Sequence, residues 1–216
     1  MKKKIKVGLI RVVTLLEENL LRTHANLLMK NFENLEVETK CIPDQPEGIY
    51  DDYTEKIAVP KIVNVAREFE KEGMDIIFIS CAADPGVEEC RKVLHIPVIG
   101  AGSACAAVAY SVGSRIGVLG ITEEVPYAMI KVLKDKLVAN IKPERVNTTL
   151  DLFNEEGKKN ALTAAQLLKE KGCDTIALGC TGMSTINIYK KIKENLGIPV
   201  IDPVLAAGAI ISYLNF

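Results

Sequence analysis

The sequence predicts an α/β protein of two pseudo-symmetric lobes, each a mostly parallel sheet flanked by helices, with the active site in the cleft between them. Three observations predict it. Strand-like runs alternate with helical patterns along the whole chain, the rhythm of parallel sheets wrapped by helices. The strand runs are continuous and rich in β-branched residues, as suits strands buried on both faces. Finally, the chain repeats itself: Asp75-Ile76-Ile77-Phe78-Ile79-Ser80-Cys81 has a counterpart in Asp174-Thr175-Ile176-Ala177-Leu178-Gly179-Cys180. Ile96-Pro97-Val98-Ile99-Gly100 recurs as Ile198-Pro199-Val200-Ile201-Asp202, each followed by an alanine-rich apolar segment, and Lys6-Val7-Gly8-Leu9-Ile10 is like Arg115-Ile116-Gly117-Val118-Leu119.

The elements follow in order. Lys2-Lys3-Lys4 is a solvated lead-in to a strand at Ile5–Ile10, followed by a helix at Glu17–Lys30 and a strand at Glu36–Cys41. The polar cluster Asp44-Gln45-Pro46-Glu47-Gly48 is a turn and the candidate for a mobile loop or lid. A helix at Tyr53–Glu72 leads to the strand Asp75–Ser80. Asp84 then suits an N-cap and Pro85 a first helical position, for a helix ending near Val93. The uncharged run Ile96–Ser114 is long enough to raise a membrane helix, but Pro97, Gly100, Gly102 and Ser103 break it into a strand at Pro97–Ile99, a turn and a helix at Ala104–Ser111. Gly102 and Ser103 line the cleft or simply begin that helix.

In the second half, strands are expected at Arg115–Gly120, Arg145–Thr149, Thr175–Gly179 and Ile198–Ile201. Helices are expected at Pro126–Leu137, Glu155–Lys171, Thr185–Glu194 and Val204–Leu214. The division this implies is a first lobe at 1–98 and a second at 99–203. A C-terminal helix of about 204–216 is placed to return to the first lobe.

A net charge of -1 over 216 residues gives no electrostatic reason to expect nucleic acid or an anionic membrane. Ile5–Ile10 is too short, and with Lys6 too polar, for a secretory signal. A cytoplasmic protein is expected, its cysteines Cys41, Cys81, Cys90, Cys105, Cys173 and Cys180 reduced. With no CxxC and only His24 and His95, no metal site is expected. His24 reads as a helix-face residue and His95 as a surface one.

Cys81 and Cys180 stand at equivalent strand ends, where open α/β sheets bind ligands. The helix that follows each offers free N–H groups and a positive dipole end, which lower a thiol pKa below its reference of about 8.5 and hold a developing enolate. Thr181 or Ser184 is placed to cap the helix after Cys180. Two thiols facing each other suit one reaction. One thiolate takes the proton from a carbon beside a carbonyl, and the opposite thiol returns a proton to the other face. The carbonyl is the electron sink, so no cofactor is required. Cys41, Cys90, Cys105 and Cys173 read as core, the usual place for a free cysteine.

Ser80-Cys81-Ala82-Ala83-Asp84-Pro85-Gly86-Val87 resembles the first cysteine motif of hydantoin and allantoin racemases, and Leu178-Gly179-Cys180-Thr181-Gly182-Met183 resembles their second. Gly197-Ile198-Pro199-Val200-Ile201-Asp202-Pro203 through Ala207 is similar to their C-terminal signature. Together these place the resemblance in the aspartate/glutamate/hydantoin racemase superfamily, over nearly the whole chain. It implies a cofactor-independent two-thiol mechanism carried by Cys81 and Cys180, with Ser80, Ala82, Ala83, Thr181 and Gly182 against the substrate. Two thiols argue against the one-thiol arylmalonate decarboxylase branch. Gly182-Met183, in place of the acidic residue usual in glutamate and aspartate racemases, favours the hydantoin-like branch. Hydantoin racemases usually carry an Asn-Pro-Asn-Thr-like turn after the first strand; here Arg11-Val12-Val13-Thr14 keeps only the threonine.

Thr14 and Thr122 are therefore candidate substrate contacts, Thr122 being also readable as a helix N-cap. Arg11 is either a bidentate clamp for a substrate carboxylate or part of a structural ion pair. The expected function is a racemase or epimerase acting on a small molecule: a 5-substituted hydantoin, allantoin or an amino acid. Homo-oligomerisation is common in the superfamily. Two other readings stand beside it: a dicarboxylate cis–trans isomerase on the same scaffold, and a non-catalytic two-lobe binding protein.

Overall fold

The computed structural model describes residues 4–214. Lys2 and Lys3 of the basic lead-in, and the last two residues of the expected 204–216 helix, lie outside the described residues. Two four-stranded parallel sheets carry the fold. The first holds β1 (Ile5–Arg11), β2 (Leu35–Cys41), β3 (Ile76–Ser80) and β4 (Val98–Gly100) in the order β2-β1-β3-β4. The second holds β5 (Ile116–Leu119), β6 (Leu137–Ile141), β7 (Thr175–Leu178) and β8 (Val200–Ile201) in the order β6-β5-β7-β8. The strand order is the same in both, so the sequence repeat is a repeat of topology. Every residue of β3 and β7 is buried, as their unbroken apolar runs require.

The helices are α1 (Glu18–Asn31), α2 (Asp52–Lys71), α3 (Val87–Val93), α4 (Ala101–Val112), α5 (Tyr127–Leu133), α6 (Glu155–Glu170), α7 (Gly182–Thr185), α8 (Ile188–Leu196) and α9 (Pro203–Tyr213). Outer cores form where α2 and α3 cover Ile77 and Ile79, and where α6 and α8 cover Ile176 and Leu178. An inner core joins the sheets, with Leu9 and Phe78 of one and Val118 and Ala177 of the other packed on Ala104, Cys105 and Ala207. The alanine-rich repeats become α4 and α9, whose small side chains let the two halves approach closely. α4 packs on α5 and β7 of the second half, and α9 on α1, β3 and β4 of the first. The first sheet runs on through Gly100, so the expected division at 98/99 falls inside β4.

The two inner helices are capped differently. Asp202 caps its own helix α9, its Oδ1 accepting from the Val204 and Leu205 N–H groups at 2.9 and 3.0 Å. The equivalent residue before α4 is Gly100, and a Cβ there would collide with the Asp84 carboxylate. Asp84 fills that space and caps α4 from another loop, its Oδ1 and Oδ2 accepting from the Gly102 and Ser103 N–H groups at 2.6 and 2.9 Å.

Four local expectations are corrected. Asp84 does not cap α3: that helix starts at Val87 behind Gly86, and Asp84 and Gly86 both take positive φ, which leaves Pro85 in a turn. The expected helix at 126–137 ends at Leu133, and the strand expected at 145–149 is instead a turn leading into a 3₁₀ helix at Thr149–Phe153. One edge of the second sheet is β6, hidden in sequence because none of its residues is fully buried, Val138 is exposed, and it lacks strict alternation. The fourth is Thr185–Glu194, which divides into the short α7 and α8 around Asn187 at φ 52.

Candidate active site

A sheet of this order leaves a crevice at the carboxyl ends of the two strands where the connection reverses direction. In the first sheet these are β1 and β3, whose last residues Arg11 and Ser80 are register partners; Cys81 follows. In the second they are β5 and β7, tied by Gly179 N–H donating to the Leu119 carbonyl at 2.8 Å; Cys180 follows. One cavity of about 900 Å³ is lined from both crevices and contains both cysteines.

The structure brings Arg11, Ser80, Ala82, Ala83, Thr122, Thr181 and Gly182 to the lining with Cys81 and Cys180. Thr14 is elsewhere. Its hydroxyl donates to the Ile42 carbonyl and accepts from the Gln45 N–H, both at 2.8 Å, so it braces the Asp44–Gly48 loop instead of meeting a ligand. That loop forms part of the cavity wall through Glu47 and Gly48, and is anchored by the buried Gln45, which donates to the carbonyls of Gly48 and Thr54. The Thr122 hydroxyl donates to the Glu124 carbonyl at 2.7 Å, closing a turn and not capping α5, which begins behind Pro126. Ser103 lines the cavity from the first turn of α4.

The two thiols sit in different fields. Burial pushes Cys81 up to about 12, against one helpful N–H from Ala83 and with Cys180, Asp84 and Glu55 adding repulsion. Burial also raises Cys180, but hydrogen bonds from Thr149, Gly182 and Met183 and the charge of Arg11 oppose it. The Gly182 N–H donates to Cys180 Sγ at 3.4 Å, and the Thr149 hydroxyl lies 3.5 Å from the same sulfur. The sequence expectation of thiols lowered by helix ends is therefore corrected. α3 starts beyond Gly86 and α7 is a single turn, so desolvation outweighs the local N–H groups.

Arg11 is buried and its guanidinium is lowered to about 10, chiefly by desolvation. Its Nη1 donates to the Leu20 carbonyl at 3.0 Å, and among the described residues no carboxylate pairs with it. The ion-pair alternative is absent, and a cation stands in the cavity wall near Cys180.

Thr149 of the site, and His24 just behind it, escaped the sequence reading. Thr149 lay within an expected strand. A Cβ at Gly182 would collide with its methyl group, so the glycine after Thr181 is what lets Thr149 reach the sulfur. His24 is wholly buried, with Nδ1 2.8 Å from Ser80 Oγ and Nε2 2.9 Å from Thr185 Oγ1. Its helical spacing with Ala25 and Leu28 was the available signal for a buried face. The remaining cysteines are buried or half-buried and free. Among the described residues no cluster of His, Cys, Asp and Glu is arranged to hold a metal ion, and no helix is long and apolar enough to cross a membrane.

Comparison with known proteins fits this geometry. A family model described as Asp/Glu/Hydantoin racemase matches residues 21–210. A hydantoin racemase of Rhizobium meliloti is 31% identical over 170 residues, 76% of this chain and 70% of that protein. A hydantoin racemase of Pseudomonas sp. (strain NS671) is 27% identical over 184 residues, 79% of this chain and 69% of that one. The fold is shared with the allantoin racemase from Klebsiella pneumoniae at a TM-score of 0.84 and 24% identity, covering 98% of this chain and 87% of that structure.

Proposed function

The chain belongs to the Asp/Glu/hydantoin racemase family, and on that premise we propose that it racemises a small neutral nitrogen heterocycle, a 5-substituted hydantoin or allantoin, with Cys81 and Cys180 as the opposed acid and base. The observation that carries the reading is the placement of these two cysteines, at equivalent strand ends of two like-ordered sheets, on the wall of one cavity. One thiolate removes the proton at the carbon beside the ring carbonyl. The charge moves onto the carbonyl oxygen, and the opposite thiol protonates the other face. Arg11, with donors to spare, is placed to stabilise that oxygen. We place the reaction in the cytoplasm, where six free thiols stay reduced.

The charge of the cavity favours this over a dicarboxylate isomerase. On the Cys81 side of the wall Asp52, Glu55, Asp84 and Glu89 outnumber the cation there, Arg91, and Glu55 is raised by burial and by Asp52 and Glu89. A dianion entering there meets repulsion that a neutral ring does not.

The test is proton NMR in D₂O with enantiopure hydantoins, allantoin and amino acids, run beside polarimetry. Loss of the α-proton signal together with optical rotation is expected for a ring substrate, and abolished inversion is expected in both Cys81→Ser and Cys180→Ser. Full racemisation by both single variants would falsify the two-thiol assignment. Exchange confined to amino acids would move the substrate to that class, with Arg11 as carboxylate clamp.

A further inference from the structure

His24 does not line the cavity, yet it touches both of the loops that carry the proposed thiols. Its ring accounts for two hydroxyls: Ser80 Oγ at 2.8 Å, on the residue before Cys81, and Thr185 Oγ1 at 2.9 Å, at the end of the helical turn that begins after Cys180-Thr181. Ser80 is engaged a second time, its carbonyl accepting from the Thr181 hydroxyl at 3.2 Å. The two cysteine loops are thus clamped at two points, one direct and one through an imidazole carried by α1. The clamp is rigid on its own terms. Ser80 ends the fully buried β3, and α1 packs against both α7 and α9.

The chemistry of the ring suits this use. Full burial and the nearby charge of Arg11 hold His24 well below its ordinary value, so the ring is neutral with one N–H and one lone pair. A neutral imidazole between two hydroxyls satisfies both nitrogens, with either tautomer matched by rotating the hydroxyl hydrogens. A charged ring would have to donate at both ends, beside a guanidinium. A hydrophobic replacement would strand the buried Ser80 hydroxyl and take from the half-buried Thr185 hydroxyl its partner, so the two loops would lose the bridge between them.

We propose that His24 is a positioning residue that sets the gap between the Cys81 and Cys180 thiols by clamping Ser80 to Thr185 across the cleft. The inference rests on the two-thiol reading, because a racemase needs both sulfurs at reaction distance from one carbon at once. Proton removal needs only one of them. Misplacement by about 1 Å costs on the order of 10²-fold in rate. A loosened clamp should therefore suppress inversion more than it suppresses exchange with retention.

The experiment compares wild type, His24→Leu, His24→Gln and Thr185→Val. The glutamine keeps one donor and one acceptor, and the valine removes one end of the bridge while preserving volume. For whichever substrate the wild type turns over, inversion and α-proton exchange with retention are measured in D₂O. In parallel, cross-linking of Cys81 to Cys180 by a short bis-alkylating dihalide is followed by peptide mass mapping, which requires no substrate. The expected result is a kcat for inversion lowered roughly 10- to 100-fold in His24→Leu and less in Thr185→Val. KM should stay close to wild type, the exchange-to-inversion ratio should rise, the cross-link yield should fall, and His24→Gln should recover most of each. Unchanged inversion and cross-linking in His24→Leu and Thr185→Val would overturn the proposal. So would an equal loss in His24→Gln and His24→Leu with the exchange-to-inversion ratio unmoved. A wild type that cross-links normally but racemises nothing would count against the function and leave the clamp to be judged by the cross-link alone.

Discussion

The hydroxyl of Thr181 donates to the carbonyl of Ser80 at 3.2 Å, joining the residue after one thiol to the residue before the other. This bond crosses between the two sheets and makes the spacing of the cysteines a property of the backbone of both lobes. Replacing Thr181 by Val keeps the shape and removes the bond, a loss of about 0.5–1.5 kcal/mol. The expected outcome is a roughly threefold to tenfold drop in kcat at nearly constant KM. A change confined to KM would show that the hydroxyl serves substrate instead.

Activity should rise with pH. Both thiols are pushed up by burial, Cys81 to about 12, while the proposed reaction starts from one thiolate. In kcat/KM, the rising limb should therefore continue past the ordinary thiol value of about 8.5. A profile already flat near neutrality would show that the free enzyme holds a thiolate in spite of the burial. The same shift has a cost in stability. Above its ordinary value the unfolded Cys81 thiol ionises while the folded one stays protonated, so the stability it contributes is fully present below about pH 8.5 and is lost as pH rises through about 12.

Thr149 should matter to the sulfur it touches. In Thr149→Val the hydroxyl 3.5 Å from Cys180 is gone, and the acid limb of the pH–rate profile should move upward, with kcat/KM falling about tenfold near neutral pH. Thr149→Ser should behave like wild type. Gly182→Ala should reproduce the loss by a different route, because its methyl group displaces the Thr149 side chain. Wild-type pH–rate profiles in both Thr149→Val and Gly182→Ala would exclude this role.

His24 also predicts how stability responds to acid. Its folded value is depressed well below 6.5, so on acidification the unfolded chain binds a proton that the folded one refuses. Its contribution is complete above pH 6.5 and is lost as pH falls toward the folded value. Asp84 and Asp202 are raised from 3.8 and act in the opposite sense at the acid end, since the folded chain takes up their protons first. Urea midpoints of wild type and His24→Gln, compared between about pH 7.5 and pH 5.5, isolate the contribution of the histidine. The gap between the two should narrow in acid, and a constant gap would contradict it.

Much of this molecule was legible in one dimension. The repeated strand-then-cysteine pattern marked Cys81 and Cys180, because a buried parallel strand writes a continuous apolar run and the crevice lies at its carboxyl end. The pairing of the alanine-rich segments likewise foretold the two inner helices. The edge strand β6 was not legible: it is half-buried, follows α5 without a clean break, and owes its pairing to the free edge of β5. Thr14 was misjudged because a threonine after a strand serves a ligand or a neighbouring loop equally well, and the choice lies with where Ile42 and Gln45 pass.

The sequence by itself determined the two-sheet architecture, the equivalence of the halves and the two cysteines at their strand ends, since burial periodicity and internal repetition are properties of neighbours along the chain. Only the tertiary structure decided what surrounds those cysteines. Thr149 reaches Cys180 from a segment thirty-one positions away, and His24 lies 56 positions from Ser80 and 161 from Thr185. Hydrogen bonds over such separations leave no local pattern, because what fixes them is the packing of α1, α7 and the 149–153 turn around one cleft. The same packing desolvates both thiols, and the few donors aimed at each sulfur offset that cost to different extents.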